Sequence, residues 1–246
     1  MFLAQDGLPG PAGCDDPARL GVRARLTAAG SRRTPRGWRA AWRGCGAGLA
    51  RADSLAIDPH KWLSVPVECG CALVHDGRLL RETFSLVPPY LQTEEGKGFG
   101  GLPWYAEYGF QQTRGFRAVK LWLTLQHLGR RGAAAHVARH NALARRLATV
   151  VTAAPDLELM APVTLSIVCF RYVPPGWASG DARLDALNKA IMQEVRAGGE
   201  AFLTNAVLRD RFALRACLLH YATTEDDVAA LVDVVRRAGA RLALSA

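Results

Sequence analysis

The chain has 246 residues, enough for one large domain or two small ones with a real core. Hydrophobic residues make up 50% and charged residues 22%, which excludes a disordered, collagen-like or coiled-coil chain. The net charge is +9, no apolar run reaches the roughly 18 residues that a bilayer requires, and Met1 to Gly10 has no signal-peptide pattern, so the expectation is a cytoplasmic protein with no membrane partner.

The charge is uneven. Residues 1–52 hold nine Arg and three acids, a balance of +6, whereas residues 53–246 carry only +3. The first segment is dominated by Gly, Ala, Pro and Arg, and its large apolar residues recur at neither period 2 nor period 3.6. Residues 1–52 therefore read as a basic, poorly ordered segment. A nucleic-acid-binding arm would rest on this segment alone, with aromatic interleaving limited to Trp38 and Trp42, and no nucleic-acid partner is expected. The six cysteines read as free thiols. Cys69-Gly70-Cys71 is a C-x-C without a second pair, so no metal site is expected.

From residue 53 the texture changes. Leu55-Ala56-Ile57 and Cys71-Ala72-Leu73-Val74 read as short buried strands, the second closed by Asp76-Gly77. Residues 88–113 have no apolar period and are rich in Gly, Pro, Tyr and Gln, the mark of a long mobile loop with a function. Phe116 to Leu128 spreads Val119, Trp122, Leu123 and Leu125 around most of a helix, a pattern that predicts burial. A more polar helix follows over 132–151. The last hundred residues alternate strands and helices. Leu165 to Tyr172 is a strand. Leu184, Leu187, Ile191 and Val195 mark a helix ended by Gly198-Gly199. Ala201–Leu208 and Phe212–Leu219 pair around Arg209-Asp210. Thr224 and Asp227 form a capping box ahead of the apolar face Val228, Leu231, Val232 and Val235, and Arg236-Arg237 with Gly239 mark its C-terminal end. The domain expectation is thus a 53–130 part holding the loop, and a 131–246 part made of a connecting helix and a small α/β domain.

Asp58-Pro59-His60-Lys61-Trp62 is the most informative stretch. Pro59 keeps Asp58 extended, so the strand ends and the chain turns. A lysine held there against Trp62, Leu63 and Val65 would lose solvation and become nucleophilic. Taken by itself, a lysine beside a Trp is more often a surface residue with a packed stem.

The segment ADSLAIDPHKWL resembles the cofactor-lysine segment of the pyridoxal-phosphate-dependent group II amino-acid decarboxylases. CGCALVHD, EYGFQQTRGFRAVKLWLTLQHLGRRG, LSIVCFRYVP and FALRACLLHYATTEDDVAALVDVV resemble the same family in the same order, over about residues 51–241. The resemblance implies an α/β chain of fold type I: a truncated large domain with a mostly parallel sheet, a small C-terminal α/β domain, and an active site at a homodimer interface. It implies pyridoxal 5'-phosphate as cofactor, carried covalently on Lys61, and a small amino-acid substrate that loses carbon dioxide. His60 matches the histidine that contacts cofactor phosphate, and Asp58 stands where relatives have Asn or Asp, with a strand-end turn residue as its other reading. Counting back without gaps from Phe116 places Tyr105 at the loop tyrosine that donates a proton to substrate carbon, with Tyr108 as the alternative. Arg215 matches the small-domain arginine that binds substrate carboxylate; an arginine in a strand needs a partner, either substrate or a structural acid. Arg114, Arg117 and Lys120 read as structural ion-pair residues.

The sequence also departs from the family. Relatives are about twice as long, and their carboxylate partner for the pyridine nitrogen lies some thirty residues before the lysine. No Asp or Glu occurs here between Asp16 and Asp53. Two readings follow: a decarboxylase of an aromatic or related L-amino acid, or a catalytically impaired fragment that keeps only folding or dimerisation surfaces.

Overall fold

A computed structural model of the chain describes residues 23–25, 52–88 and 103–244. Most of the basic segment and the centre of the 88–113 loop lie outside the described residues. The chain divides into two compact units between Arg130 and Arg131.

The N-terminal unit holds β1 (Arg23–Arg25), β2 (Ser54–Ile57) and β3 (Cys71–Val74), in the order β1-β2-β3. Both pairings are antiparallel, with Ser54 opposite Val74 and Ile57 opposite Cys71. The mostly parallel sheet expected from the resemblance is therefore corrected for the described residues. A parallel neighbour requires a crossover, usually helical, whereas residues 58–70 join β2 to β3 without a helix. Helix α1 (Arg78–Phe84) follows the Asp76-Gly77 turn, where the Asp76 carboxylate accepts from the Arg78 backbone N–H at 3.0 Å. A 3-10 helix spans Tyr105–Tyr108.

Helix α2 runs from Arg117 to Ala153 and is broken at Gly129, whose φ of 63° and ψ of 175° are not helical. Its first part does not meet the expectation of burial. Phe116 is 75% exposed, Trp122 58% and Leu123 54%. Val119, Leu121 and Leu128 are half-buried, so the apolar circumference is only partly covered.

The C-terminal unit is better packed. Strands β4 (Leu157–Leu159), β5 (Ile167–Tyr172), β6 (Thr204–Leu208) and β7 (Arg211–Cys217) form an antiparallel sheet in the order β4-β5-β7-β6. The β6–β7 turn is Arg209-Asp210 with φ of 52° and 59°, the left-handed pair that a two-residue hairpin of matching twist needs. Helices α3 (Arg183–Gly198) and α4 (Glu225–Ala243) cover one face together with the second part of α2. The core joins Leu143, Leu147 and Val151 of α2 to Phe170, Leu187, Ile191, Leu214, Val228 and Val235. The Thr224–Asp227 capping box is present in both directions. Buried Asn188, unremarked in the sequence, accepts from the Tyr172 N–H at 2.8 Å and donates to the Tyr172 carbonyl at 2.9 Å, which satisfies the end of β5.

Gly239 does not end α4, which continues to Ala243. Its role is close approach: a Cβ there would lie 2.6 Å from the Tyr172 ring. Gly239→Ala should therefore destabilise this unit by about 1–3 kcal/mol through overpacking. Urea unfolding of the two proteins measures it; an unchanged or raised midpoint would contradict the packing described.

His140 is fully buried, its Nε2 is 3.1 Å from the His220 carbonyl, and the His136 ring packs edge-on at 4.4 Å. Burial above all pushes its pKa below the ordinary 6.5; the His220 carbonyl opposes this, and the charges of His136 and Arg139 add to it. The folded state thus favours the neutral ring, and the unfolded chain takes up the proton first. The stability from this site is complete above about pH 6.5 and is lost as pH falls towards the folded value. His140→Gln should flatten the stability–pH slope of the C-terminal unit below pH 6.5, read by chemical denaturation across pH 5 to 8.

Candidate active site

Strand β2 ends where Pro59 sets the second position of a turn. The Lys61 N–H donates to the Asp58 carbonyl at 3.0 Å, and two further bonds, Val65 N–H to Pro59 and Ser64 N–H to Lys61, wind the chain once more. Pro59, Trp62 and Val65 point inward, while Lys61 and Ser64 point out. The winding is driven by burial: Trp62 is 8% exposed and Val65 2%.

The Lys61 side chain is half exposed, and its Nζ pairs with Asp58 Oδ2 at 2.6 Å. This corrects the expectation that Trp62, Leu63 and Val65 strip water from the amine. The turn sends Trp62 and Val65 to the interior and leaves Lys61 on the opposite side. Asp58, one of two readings in the sequence, is the immediate partner of the amine.

His60 Nδ1 lies 2.8 Å from the Cys69 carbonyl and 3.2 Å from the Cys69 N–H. Cys69 is itself buried, and its Sγ is 3.9 Å from the Arg117 carbonyl. The Arg117 guanidinium donates to Glu68 through Nε at 2.6 Å. Lys120 Nζ donates to the carbonyls of Val67 at 3.2 Å and Glu68 at 3.4 Å. Of the three expected structural ion-pair residues, Arg117 makes one with Glu68, and Lys120 binds carbonyls instead. The Lys61 turn, the Cys69 segment and the start of α2 are thus linked side chain to backbone.

Tyr105 and Tyr108 sit on the 3-10 turn with ring centroids 6.0 Å apart, Tyr105 being 68% exposed. Between them Glu107 is buried, at 4%. It accepts from Ser85 Oγ at 2.7 Å and from Arg81 Nε at 3.0 Å. The Ser85 hydroxyl first, then Arg81, holds its carboxyl below the usual carboxylate range against the upward push of burial. The sequence gives Glu107 one signal, an acid alone among aromatic and small residues in WYAEYGF.

Arg215 lies on β7, in the C-terminal unit. Its Nη1 donates to Thr204 Oγ1 at 3.3 Å, and among the described residues no carboxylate pairs with it. The buried strand arginine with an acid is Arg171 of the adjacent strand β5, 1% exposed and bound to Glu158 Oε2 at 2.7 Å. Among the described residues, Cys69, Cys71 and Cys217 form no disulfide. Burial, with Cys69 as a lesser cause, pushes the Cys71 thiol up. Among the described residues, no group of three or more His, Cys, Asp or Glu is placed to hold a metal ion, and no helix is long and apolar enough to cross a membrane.

Residues 39–173 match the family described as the pyridoxal-dependent decarboxylase conserved domain. The match starts at Arg39, so the end of the basic segment falls inside it. The aromatic-L-amino-acid decarboxylase of Bacillus atrophaeus is 31% identical over 198 residues, covering 80% of this chain and 41% of that protein. The histidine decarboxylase of Rattus norvegicus is 29% identical, covering 80% of this chain and 28% of that one. Among solved structures, Catharanthus roseus tryptophan decarboxylase in complex with L-tryptophan superposes with a TM-score of 0.69 at 26% identity, covering 82% of this chain and 41% of that one. Oryza sativa TDC with PLP and tryptamine gives 0.74 at 24% identity over the same shares. The chain thus spans less than half the length of these relatives, and its fold is the fold type I of pyridoxal-phosphate enzymes. With more than half of its residues matching the family, and the Asp58–Lys61 turn inside the matched region, the chain belongs to the pyridoxal-dependent decarboxylases, enzymes of pyridoxal 5'-phosphate.

Proposed function

We propose that the protein decarboxylates an L-amino acid, aromatic or related, to an amine and carbon dioxide with pyridoxal 5'-phosphate bound at Lys61. The observation that carries this is the Lys61 amine, presented outward at the end of β2 with a carboxylate 2.6 Å away. Similarity to aromatic-L-amino-acid and tryptophan decarboxylases supports the substrate class.

The donor set fits the aldehyde and phosphate ends of the cofactor. Lys61 is a primary amine with half its side chain open to a ligand. Asp58 Oδ2 accepts from the Lys61 amine at 2.6 Å and fixes the direction in which it is presented. With Nδ1 committed to Cys69, His60 has Nε2 for a phosphate oxygen. When bound, the cofactor supplies a ring that accepts the electron pair left as the Cα–carboxylate bond breaks. Tyr105 is proposed to donate the proton that replaces the carboxylate on carbon, and Arg215, whose side chain binds Thr204 Oγ1 and the Cys217 thiol, is proposed from the resemblance alone as the group for the substrate carboxylate. A homodimer belongs to the same proposal, supported by the exposed apolar face of Phe116, Trp122 and Leu123. A cytoplasmic location is supported by the free thiols.

One observation favours the second reading, a catalytically impaired chain. The strand hydrogen-bonded to β2 opposite β3 is Arg23-Ala24-Arg25, which offers no carboxylate to a pyridine nitrogen.

Borohydride reduction with pyridoxal phosphate, followed by peptide mass spectrometry, tests the cofactor site. Label should appear on Lys61 alone and vanish in Lys61→Ala; label spread over Lys97, Lys120 and Lys189 would defeat the proposal. Carbon dioxide release from a panel of amino acids separates the two readings.

The clamp on the Cys69 segment gives a second expectation. Lys120→Met should slow the labelling of Lys61 severalfold while leaving the unfolding of the C-terminal unit unchanged. An unaltered labelling rate would show that the clamp does not set the position of the amine.

A further inference from the structure

We propose that the outer edge of β6 is an interaction surface, and that it pairs antiparallel with β6 of a second copy about a two-fold axis at Ala206. Strand β6 ends the β4-β5-β7-β6 sheet, so among the described residues one side of it has no strand beside it. The segment from Phe202 to Leu208 reads FLTNAVL, with no charge, glycine or proline. Sheet edges are commonly blunted by charges, prolines or bulges, and this segment has none of them within it. Phe202 is 76% exposed and Val207 65%.

The hairpin decides which backbone groups face outward. Arg209-Asp210 is a two-residue turn, so the flanking Leu208 and Arg211 form a hydrogen-bonded pair. Antiparallel pairs alternate, so Ala206 with Ala213 and Thr204 with Arg215 are bonded pairs too. Asn205 and Val207 fall between, and their N–H and C=O groups point away from β7. Two contacts agree with this. The Phe212 N–H, opposite Val207, donates to Asp185 Oδ1 at 2.9 Å. The Leu203 carbonyl, which shares the outward alternation, accepts from Arg196 Nε at 2.6 Å.

This outward set is self-complementary. A two-fold axis at Ala206 exchanges Asn205 with Val207. Asn205 of each copy then donates to and accepts from Val207 of the other, which joins two four-stranded sheets into one. Charge favours the same register. It sets Phe202 opposite Asp210 of the second copy, and the Arg196 guanidinium lies over the Phe202 ring at 4.9 Å. Each end of the paired strands thus brings an acid to a base. The edge belongs to the C-terminal unit, whereas the exposed apolar face of α2 belongs to the other.

Amide hydrogen exchange of the full 246-residue chain reads the alternation directly. Protection of Asn205 and Val207 should rise about tenfold as the protein is concentrated, because only pairing with a second copy covers them. Thr204, Ala206 and Leu208, bonded to β7, should stay protected at every concentration. Val207→Pro removes an outward donor and no bond to β7, a place where an edge strand accepts proline. It should abolish the concentration dependence at Asn205 and leave the protection of Ala206 unchanged. Val207→Lys, which keeps the backbone intact, should weaken the dependence in the same direction. Disulfide trapping fixes the register. Position 206 faces itself across the axis at a separation that a disulfide spans, so oxidised Ala206→Cys should give a dimer linked through that position. Leu208→Cys should not link to itself, because the register sets it opposite Thr204. Exchange independent of concentration, equal rises at all five amides, or no link at position 206 would each overturn the proposal. A link from position 206 to Cys14 or Cys45 within one chain would seat the N-terminal segment on the edge instead, and protection gained only on adding another polypeptide would assign it to a different partner; either overturns pairing with a second copy.

Discussion

Cys69 is where the N-terminal unit is fastened. The thirteen residues between β2 and β3 contain no helix, so beyond the burial of Trp62, Val65 and Cys69 their shape depends on polar anchoring. His60 reaches across the loop to the backbone of Cys69, and the start of α2 holds the same segment through Arg117 on Glu68 and Lys120 on two carbonyls. Trp62 and Val65 fill the space beneath. Once those anchors are set, the turn can expose Lys61 in only one direction. The position of the amine is thus a consequence of contacts made eight residues and more away in sequence.

Polar anchoring of this kind recurs beside the loop tyrosines, where a single carboxylate replaces a core. Both sites pair charge with partial burial, the condition under which such bonds contribute most. The C-terminal unit is built on the opposite principle. Its sheet and three helical segments enclose a continuous apolar cluster, and two of its buried polar groups, Asn188 and Arg171, are each satisfied by several partners.

The exposed first part of α2 belongs to the same picture. Its apolar residues surround the helix axis, a distribution that only makes sense with cover on several sides. The chain spans 41% of the length of its Bacillus atrophaeus relative, and the described residues of this unit leave Trp122 and Leu123 in solvent.

Much was legible from the residues alone. Strands β3 and β5, the hairpin at Arg209-Asp210, the end of α3 and the Thr224 capping box follow from period and turn chemistry, because those signals act within a few residues. The likeness of the Asp58–Trp62 segment to a cofactor-lysine motif was equally a property of the string. What the sequence could not decide was which neighbour each side chain meets. Lys61 faces Asp58 and water rather than apolar surface, Arg215 finds a hydroxyl rather than an acid, Gly239 serves a tyrosine ring rather than a helix end, and Glu107 is buried on α1. Each of these depends on residues distant in the chain, and burial and pairing are properties of the surroundings that folding assembles.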